Sequence, residues 1–504
     1  MEIASLKGSF SVNFEKIAGV FNSILPLLFL FFFWMGYYES FFFHFLTVTF
    51  FFLNLLNFYF LKIQKKHALL SNYGLIAQAR YLLESVGPEF RQYLFSSDTE
   101  EKPFNRIERA EVYRKSKGTD SASAFGSLLA FNNQEIKLRH SLYPNANKDL
   151  NPYRLVFGEE RGIKNTYTLK HPVMISAMSF GSLGANAVRA LARGAKRAGT
   201  LMNTGEGGWP KYHLMEGCDL TFQMGTAKFG VRNEDATLND EKLRELSQLE
   251  SIKMIEIKLS QGAKPGKGGI LPKEKITKEI SELRGVPQGK DVVSPPFHKE
   301  CTNSTELVKF IRRVQDVSEL PVGIKFCLGR ESEFIELVKE MKKLNIFPDY
   351  ITIDGAEGGS GAAPKSFMDD VGVPIFKALP FVQKILVQEG VRDKLKLMGA
   401  GKLISVGRQF MAFSMGADAV YTARGFMLAL GCIQALQCNK NTCPVGITSQ
   451  NPKLEKGLDI EEKSQRVVNY IHALIHEQNE ILSALGKNSI RELGPEFLYQ
   501  EGVY

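Results

Sequence analysis

Three cysteines near the carboxyl-terminal end of the chain are the residues most suited to chemistry. Cys432, Cys438 and Cys443 follow the spacing C-x5-C-x4-C and are half of the 6 cysteines in the protein. Zinc would need a fourth ligand, and the neighbouring sequence offers neither a histidine nor a second cysteine pair. Three thiolates therefore predict an iron–sulfur cluster, with three unligated cysteines as the alternative. The other cysteines are scattered and are interpreted as small buried side chains: Cys218, Cys301 and Cys327.

Two glycine runs lie before these cysteines, and each follows a short apolar segment. The first is the loop 354–364, with the sequence DGAEGGSGAAP, and the second is Gly399-Ala400-Gly401. Successive backbone N–H groups in such turns can bind a phosphate, especially where the turns follow neighbouring strands of a barrel. The stretch 398–450 is therefore interpreted as an iron–sulfur centre held against a nucleotide-type cofactor.

Two further loops carry charged residues among glycines. The loop 203–208, NTGEGG, places Glu206 where a backbone can approach a ligand closely. The run 256–269 contains three lysines and four glycines, and cations on such a loop suit a dianionic substrate or a phosphate. Taken alone, each segment could also be an ordinary surface loop.

The composition excludes some classes of protein. A chain of 504 residues is long enough for a large barrel with accessory segments. The net charge of +9 is spread among interleaved acidic and basic residues, so no nucleic acid is expected as a partner. Cysteines without a secretory context indicate a reducing compartment and metal ligation rather than disulfides.

Short apolar segments that alternate with helical ones predict parallel βα units from about residue 170. The strand candidates are 173–178, 254–259, 322–326, 350–353, 396–398 and 419–422, and a helix is predicted over 185–198. At least six such units in about 260 residues favour a closed (β/α)8 barrel, because no dinucleotide glycine pattern appears at the first turn. The loops after its strands would face one active site.

Two apolar runs at the beginning of the chain, 17–38 and 41–61, are each long enough to cross a hydrocarbon core of about 30 Å as a helix. Only Glu39 and Ser40 separate them. A signal peptide would have a much shorter apolar core, so a transmembrane hairpin is predicted, with one long tilted span or a buried helical pair as alternatives. Lysines at both outer ends place these ends, and the catalytic domain, in the cytoplasm: Lys7, Lys16, Lys62, Lys65 and Lys66.

The predicted domains follow these changes in pattern. They are the membrane segment 1–66, a helical and loop region 67–165, the barrel 166–430, the cluster loop 431–450 and a helical tail 451–504. Helices are predicted over 78–85 before the barrel and over 460–485 in the tail. No chemistry is assigned to the region 67–165.

Residues 171–452 resemble the synthase domain of glutamate synthase, and most closely its stand-alone FMN-binding relatives. The matching segments are 177–181 (AMSFG), 203–208, 257–269, 294–296 (SPP), the strand that ends at Lys325, 354–364 and 430–446. The resemblance implies a (β/α)8 barrel with FMN at the carboxyl ends of the strands and a 3Fe-4S cluster beside it.

The same resemblance implies roles for individual residues. Met178 and Ser179 are flavin-contacting positions, Lys325 is the lysine near the flavin ring, and the phosphate-loop positions are Gly358, Gly359, Gly399 and Gly401. The positions around 2-oxoglutarate are Glu206, Gln261, Lys264 and Arg284. The cluster ligands are Cys432, Cys438 and Cys443.

The reaction implied by the resemblance is reductive amination. Ammonia condenses with 2-oxoglutarate, electrons from a ferredoxin or a reductase subunit reach FMN through the cluster, and a hydride from the flavin reduces the imine. Lys264 and Arg284 would hold the two carboxylates, and Glu206 would manage protons during imine formation.

The sequence also departs from the large glutamate synthases. Nothing before the barrel resembles their glutamine-hydrolysing domain, so ammonia or another amine is the expected nitrogen source. Ile270 stands where they carry a glutamine, and Trp209-Pro210 replaces an acidic pair after the GEGG loop. No dinucleotide-binding domain is recognised. The alternative function is a membrane-associated flavin and iron–sulfur module that transfers electrons to a partner protein.

Overall fold

Eight parallel strands close into a barrel in the computed structural model, which describes residues 14–37, 41–119, 122–128, 136–146 and 150–499. We number the barrel strands in chain order. They are β1 Val173–Ile175, β2 Met202–Asn203, β3 Leu220–Met224, β4 Ile252–Lys258, β5 Val322–Phe326, β6 Tyr350–Asp354, β7 Lys396–Ala400 and β8 Ala419–Thr422. Each strand pairs in parallel with the next, and β8 pairs with β1. The predicted (β/α)8 barrel is therefore confirmed.

The strands β2 and β3 were not among the sequence candidates. Strand β2 has only two residues, too few for any alternating or apolar pattern. Strand β3 has the sequence LTFQM, and its polar residues Thr221 and Gln223 are buried inside the barrel. A polar residue that faces a barrel interior interrupts the apolar run expected of a parallel strand.

Helices surround the barrel and follow its strands. They are Ala185–Ala198 after β1, Lys211–Leu214 after β2, Asp240–Ser247 after β3, Lys278–Arg284 and Ser304–Ser318 after β4, Glu331–Leu344 after β5, Lys365–Asp370 and Ile375–Gln388 after β6, Val406–Ser414 after β7 and Arg424–Ala429 after β8. Side chains of Asn239 and Asn303 accept hydrogen bonds from backbone N–H groups in the first turns of their helices, which fixes where these helices begin.

The amino-terminal end of the barrel is closed by an antiparallel hairpin, Leu155–Phe157 with Tyr167–Leu169. Its side chains form one buried cluster with Met174, Tyr350 and other residues at the beginnings of the strands. Phe157 meets Tyr350 edge to face at 5.6 Å between ring centroids. Only the carboxyl ends of the strands are therefore left for a site.

Two helices outside the βα units pack around the barrel. The tail helix Ile460–Ala484 packs against Ala185–Ala198 and also against Arg106–Ser116. Gly194 allows the first contact, because a Cβ there would lie 2.5 Å from Val467. Short strand pairs join 137–138 to 498–499 and 270–271 to 292–293.

The chain divides into two units, Met1–Asn105 and Arg106–Tyr504, and the second contains the barrel. Within the first unit, the helices are Phe14–Gly36, Phe41–Phe58 with a continuation Tyr59–Ile63, Ala68–Tyr73, and Gln78–Phe90 with a continuation Arg91–Phe95. The predicted helix over 78–85 thus extends further than expected. The predicted domain boundaries remain predictions.

Two of these helices are long and apolar enough to cross a membrane by length and composition, with candidate spans at Ile17–Gly36 and Phe41–Ile63. The predicted separators Glu39 and Ser40 lie outside the described residues, as does Lys7. Polar side chains in the spans pair with the neighbouring helix: Asn54 Nδ2 donates to the Leu25 carbonyl at 3.1 Å, and Asn57 Nδ2 donates to Asn22 Oδ1 at 3.0 Å.

Candidate functional site

An ion pair lies among the loops at the carboxyl ends of the strands. Lys258, the last residue of β4, places its Nζ 2.5 Å from Glu206 Oε1 and 2.6 Å from Gln261 Oε1. Glu206 comes from the loop after β2, so the pair joins two loops that are far apart in sequence. Lys258 lies within the lysine-rich run 256–269, but the sequence predicted no function for it.

Glycines enclose the carboxylate of Glu206. A Cβ at Gly269 would lie 2.6 Å from Glu206 Oε1, and one at Gly225 would overlap Oε2. Burial alone would raise the pKa of Glu206, but Lys258, with Lys264 and Arg284 farther away, holds it below its ordinary value. Glu206 is therefore an ionised carboxylate in a narrow cavity with cations around it.

Two buried cations accompany this ion pair. Lys264 Nζ donates to the Ala362 carbonyl at 2.8 Å, and burial together with Lys258 lowers the pKa of Lys264 to about 8. Arg284 Nη2 donates to the Phe180 carbonyl at 2.8 Å, and burial lowers the pKa of Arg284 to about 10. Arg284 Nε is buried and has no hydrogen-bond partner within the described part of the chain. This donor is available to an anionic ligand.

The sequence-predicted residues Glu206, Gln261, Lys264 and Arg284 therefore belong to one charged group. Lys258 contacts both Glu206 and Gln261, and the positive charges of Lys264 and Arg284 help to lower the pKa of Glu206. We call Glu206, Lys258, Gln261, Lys264 and Arg284 the charged cradle.

A second ion pair lies on the neighbouring strands. Lys325 Nζ, near the end of β5, lies 3.5 Å from Asp354 Oδ2 at the end of β6, and that oxygen accepts the Gly262 N–H at 3.1 Å. Burial alone would lower the pKa of Lys325, but Asp354 and then Glu256 raise it above its ordinary value. Lys325 is therefore a buried cation in the mouth of the barrel.

Sequence reasoning assigned no role to the carboxylate inside the barrel below these lysines. Glu256 is fully buried, and its oxygens accept hydrogen bonds from Asn203 at 2.8 Å, Gln223 at 2.7 Å and Thr352 at 2.9 Å. Each partner comes from a different strand. The network thus ties β2, β3, β4 and β6 together beneath the site.

The glycines predicted at the phosphate lie in two environments. A Cβ at Gly359 would approach the Arg424 side chain at 2.8 Å, and Gly401, with φ of 137°, lies against the backbone of Gly355. A Cβ at Gly358 would lie 3.1 Å from Asp354 Oδ1, also beside the mouth of the barrel. By contrast, a Cβ at Gly399, within β7, would meet apolar side chains: Leu403, Ala417 and Leu379.

Two arginines beside this glycine loop had no role in the sequence analysis. Arg424 donates to the Glu357 carbonyl, and Arg408 stacks over Phe376 at 4.7 Å from the ring centroid. Burial lowers the pKa of both guanidinium groups from a very high ordinary value, so both stay charged. Buried cations beside exposed backbone turns suit a phosphate.

Met178 and Ser179 lie in the loop after β1. The Met178 carbonyl is 3.0 Å from Nε2 of buried His213, and Ser179 Oγ donates to Ser182 Oγ at 3.2 Å. Gly205 must be glycine here, because a Cβ on it would lie 2.8 Å from the Ser179 backbone nitrogen. The loop is thereby held against the Glu206 loop, at the edge of the cavity.

The cysteine loop follows the helix Arg424–Ala429. Burial raises the pKa of Cys432 to about 11, with Cys438 and Cys443 adding to the shift. Burial also raises the pKa of Cys438. Tyr113, from the helix before the barrel, donates its hydroxyl to the Cys432 carbonyl at 2.5 Å. The helix Arg106–Ser116 therefore supports the cysteine loop directly.

A buried lysine approaches the same loop from the segment after β4. Lys275 Nζ donates to the Ser182 carbonyl and, at 3.4 Å, to the Cys438 carbonyl. Burial lowers the pKa of Lys275 to about 8, against the opposing effect of Cys438 and Cys443. A cation at this position suits a group that carries negative charge.

Among the residues that the structure describes, no group of three or more His, Cys, Asp or Glu side chains is arranged to hold a single metal ion. The thiolates of an iron–sulfur cluster bind different irons and need not converge on one point. Three cysteine sulfurs with a neighbouring cation suit such a cluster chemically. The cluster itself remains a prediction.

Comparison with known proteins identifies relatives by sequence. The conserved region in glutamate synthase matches residues 105–488. A glutamate synthase large subunit-like protein, YerD, of Bacillus subtilis is 39% identical over 465 residues, which cover 84% of this chain and 88% of that protein. The archaeal glutamate synthase [NADPH] of Methanocaldococcus jannaschii is 38% identical over 327 residues, covering 64% of this chain and 61% of that protein.

Solved structures with a similar course of the chain include flavin enzymes. A flavocytochrome b2 variant with sulfite bound gives a TM-score of 0.47 at 15% identity, over 84% of this chain and 85% of that one. A mandelate oxidase variant gives 0.44 at 14% identity, over 77% and 97%. Both scores are low, and the fold assignment rests on the strand pairing of this chain.

Proposed function

The chain belongs to the glutamate synthase family, and we propose that it is an oxidoreductase that converts 2-oxoglutarate to glutamate by reductive amination. The nitrogen source is ammonia or another amine, the latter giving an N-substituted glutamate. The observation that carries this proposal is the charged cradle, in which the buried cations Lys264 and Arg284 act electrostatically on the enclosed carboxylate of Glu206, and Arg284 Nε has no hydrogen-bond partner among the described residues.

The two cations of the cradle recognise the two carboxylates of the substrate. Arg284 keeps its charge at neutral pH and has Nε free of protein partners in the described residues. Lys264 is partly protonated near neutrality, because its pKa is about 8. A dianion that enters this site replaces lost hydration with charged hydrogen bonds, which contribute more than neutral ones.

Glu206 moves protons during imine formation. Attack of the amine on the 2-oxo carbon gives a carbinolamine, which becomes the imine when it loses a proton from nitrogen to a base and its hydroxyl group, which leaves as water with a proton from an acid. Glu206 is ionised and accepts the proton from nitrogen, and Lys258 Nζ, 2.5 Å away, can return one to the departing hydroxyl. Gln261, bonded to Lys258, positions its ammonium group.

FMN fits the mouth of the barrel by the chemistry of its lining. The residues that would hold it are Met178, Ser179 and Lys325 at the flavin and Gly358, Gly359 and Gly401 at the phosphate, with Arg424 as a further cation. When bound, the flavin supplies the hydride that reduces the imine carbon. Lys325 contributes a fixed positive charge beside the ring.

A 3Fe-4S cluster held by Cys432, Cys438 and Cys443 would accept electrons from an external donor, a ferredoxin or a reductase subunit. Lys275 offers a compensating charge at the cysteine loop. The hairpin of apolar helices tethers the protein to a membrane, with both hairpin ends and the catalytic domain in the cytoplasm. Exposed Lys62, Lys65 and Lys66 at the end of the second span support this orientation.

The test uses the purified full-length protein in detergent with a chemical reductant, 2-oxoglutarate and isotopically labelled ammonia or methylamine. We expect labelled glutamate or N-methylglutamate, detected by mass spectrometry. Arg284→Ala should lower product formation about 30-fold or more, whereas Lys273→Ala, which removes an exposed lysine, should not. Flavin reduction without an amino acid from any amine would refute the proposal and favour an electron-transfer module that serves a partner protein.

A further inference from the structure

An apolar stripe runs along the helix Gln78–Phe90 and its continuation Arg91–Phe95 in the first unit. Leu82, Leu83, Val86, Phe90 and Leu94 recur every three or four residues, and at about 100° per residue they occupy about one third of the helix circumference. Four of them are strongly exposed, with 64% for Leu82, 66% for Leu83, 47% for Phe90 and 66% for Leu94. Such a continuous exposed apolar surface requires a partner.

The opposite side of the same helix is charged. Arg80 and Glu84 form a salt bridge of 2.8 Å there, and both side chains are more than half exposed. Arg91, seven residues after Glu84 and therefore on the same side, is also exposed. The helix is therefore amphipathic, with a polar side that remains suited to water.

The start of this helix is fixed to the apolar hairpin. Asn57, within the second candidate span, accepts the Leu75 N–H at 2.7 Å and donates to Asn22 Oδ1 of the first helix at 3.0 Å. Gly74, with φ of 64°, makes the turn possible, since a Cβ there would overlap Asn57 Oδ1. The turn before Gln78 is thus held at the level of Asn57.

That level agrees with the depth of interfacial helices. Asn57 lies six residues before Ile63, the end of the second candidate span, which is about 9 Å along a helix. Helices in a membrane surface bury their apolar side about 5–10 Å into the boundary between headgroups and acyl chains. Exposed lysines at the end of the span match anionic headgroups just above: Lys62, Lys65 and Lys66.

We propose that residues 78–95 form an interfacial helix, which lies along the membrane surface with the apolar stripe in the acyl-chain boundary. The partner is a lipid bilayer with anionic headgroups. This inference rests on the proposed insertion of the hairpin and adds a third membrane contact that runs along the surface instead of across it. The amount of chain committed to the membrane therefore exceeds the two spans.

The test reads tryptophan depth in vesicles. The full-length protein is reconstituted into phosphatidylcholine–phosphatidylglycerol vesicles whose acyl chains are brominated either near the headgroup or near the chain end. Bromine quenches only tryptophan that touches lipid. The chain has 2 tryptophans, Trp34 in the first span and Trp209 in the barrel unit, so Trp34→Phe provides the background for single insertions.

Leu83→Trp and Phe90→Trp test the stripe, and Glu84→Trp and Arg91→Trp are matched controls on the charged side of the same helix. We expect shallow bromines to quench the two stripe positions about twofold more than the controls, with deep bromines less effective. Equal quenching on both sides, or none on the stripe, would overturn the proposal. An absence of quenching at the stripe positions would mean that protein covers the stripe, either the barrel unit or a second copy of the chain.

Trp34 separates failure of this inference from failure of the hairpin. If bromine quenches the fluorescence of the unmodified protein, and this quenching disappears in Trp34→Phe, the hairpin is in the bilayer. If Trp34 is quenched and the stripe positions are not, only the interfacial helix is wrong. If neither is quenched, both the hairpin and the helix are wrong. The catalytic proposal is independent of all three outcomes.

Discussion

The charged cradle and the cysteine loop lie far apart in sequence and differ in how complete they are. In the cradle, Glu206 already has its countercharge at 2.5 Å, and glycines close around its oxygens. In the cysteine loop, burial raises the pKa of Cys432 to about 11, so this thiol keeps its proton at neutral pH. The first site is built by packing and charge alone, whereas a metal that bound the second site would have to displace protons.

This difference in completeness predicts which substitutions will inactivate each site. A preorganised charge site loses function when one charge is removed, because the others remain buried without a partner. A thiol site loses function when its bound group is lost, while its fold can be held by other contacts, such as the Tyr113 hydrogen bond to the Cys432 carbonyl. Substitutions in the two sites should therefore produce different signatures.

The largest effect is expected from removing a cysteine ligand. Substitutions that only orient metal ligands cost about 10–100-fold, so Cys443→Ala should lower donor-driven activity at least about a hundredfold and abolish the cluster signal in electron paramagnetic resonance. Bound FMN should be retained. The matched control is Cys218→Ala, a buried cysteine outside the loop. Iron that stays bound in Cys443→Ala and is lost in Cys218→Ala would reverse the assignment.

A smaller but still severe effect is expected in the cradle from Arg284→Ala. Truncation of one member of a buried charged group costs about 2 kcal/mol or more, equivalent to about 30-fold or more in kcat/KM for 2-oxoglutarate. Iron and flavin contents should not change, which separates this variant from the cysteine variant. Arg330→Ala removes an exposed arginine and serves as the control. An unchanged kcat/KM would exclude Arg284 from substrate binding.

The third prediction concerns pH. Lys264 has a pKa of about 8 in the free protein, so it loses its charge as the pH rises through 8. Affinity for dianionic 2-oxoglutarate should therefore fall above this pH, approaching about tenfold per unit if the protonated lysine is required. Calorimetry between pH 7 and pH 10 measures this without the amine, whose own titration would interfere. Lys264→Arg should remove the decline, and a persistent decline would assign it to another group.

The smallest effect is expected from Tyr113→Phe, which deletes the hydroxyl that reaches the Cys432 carbonyl at 2.5 Å. A lost hydrogen bond costs about 0.5–1.5 kcal/mol of unfolding free energy. The rate of iron release to a chelator should also rise. Tyr153→Phe removes a similar bond, to the Asp418 carbonyl at 2.7 Å, and should lower stability without changing iron release. Equal iron release in both variants would contradict a specific role for Tyr113.

The barrel was predictable because six of its strands are largely apolar segments, whereas β2 is too short to be recognised and β3 has Thr221 and Gln223 among only five residues. Within the site, Glu206, Lys264 and Arg284 were identified through a family resemblance. The contacts of these residues with one another were not predicted, because the Glu206–Lys258 ion pair joins residues 52 positions apart. Only folding reveals which of several lysines on one loop faces a given carboxylate.

Lys275 and Glu256 are two further residues whose surroundings could not be predicted from the sequence. A lysine in a charged segment is normally solvated, yet Lys275 is buried against two carbonyls. Glu256 within an apolar strand can be read either as an edge residue or as an interior one. The partners that decide between these readings, Asn203, Gln223 and Thr352, come from three other strands.

The hairpin that closes the amino-terminal end of the barrel has a consequence for the traffic of small molecules. Because Leu155, Phe157, Tyr167 and Leu169 fill that end with apolar side chains, the barrel axis is not a through passage. Any small molecule that reacts inside the barrel must then enter and leave at the carboxyl ends of the strands. A product would have to leave there before the next substrate could enter.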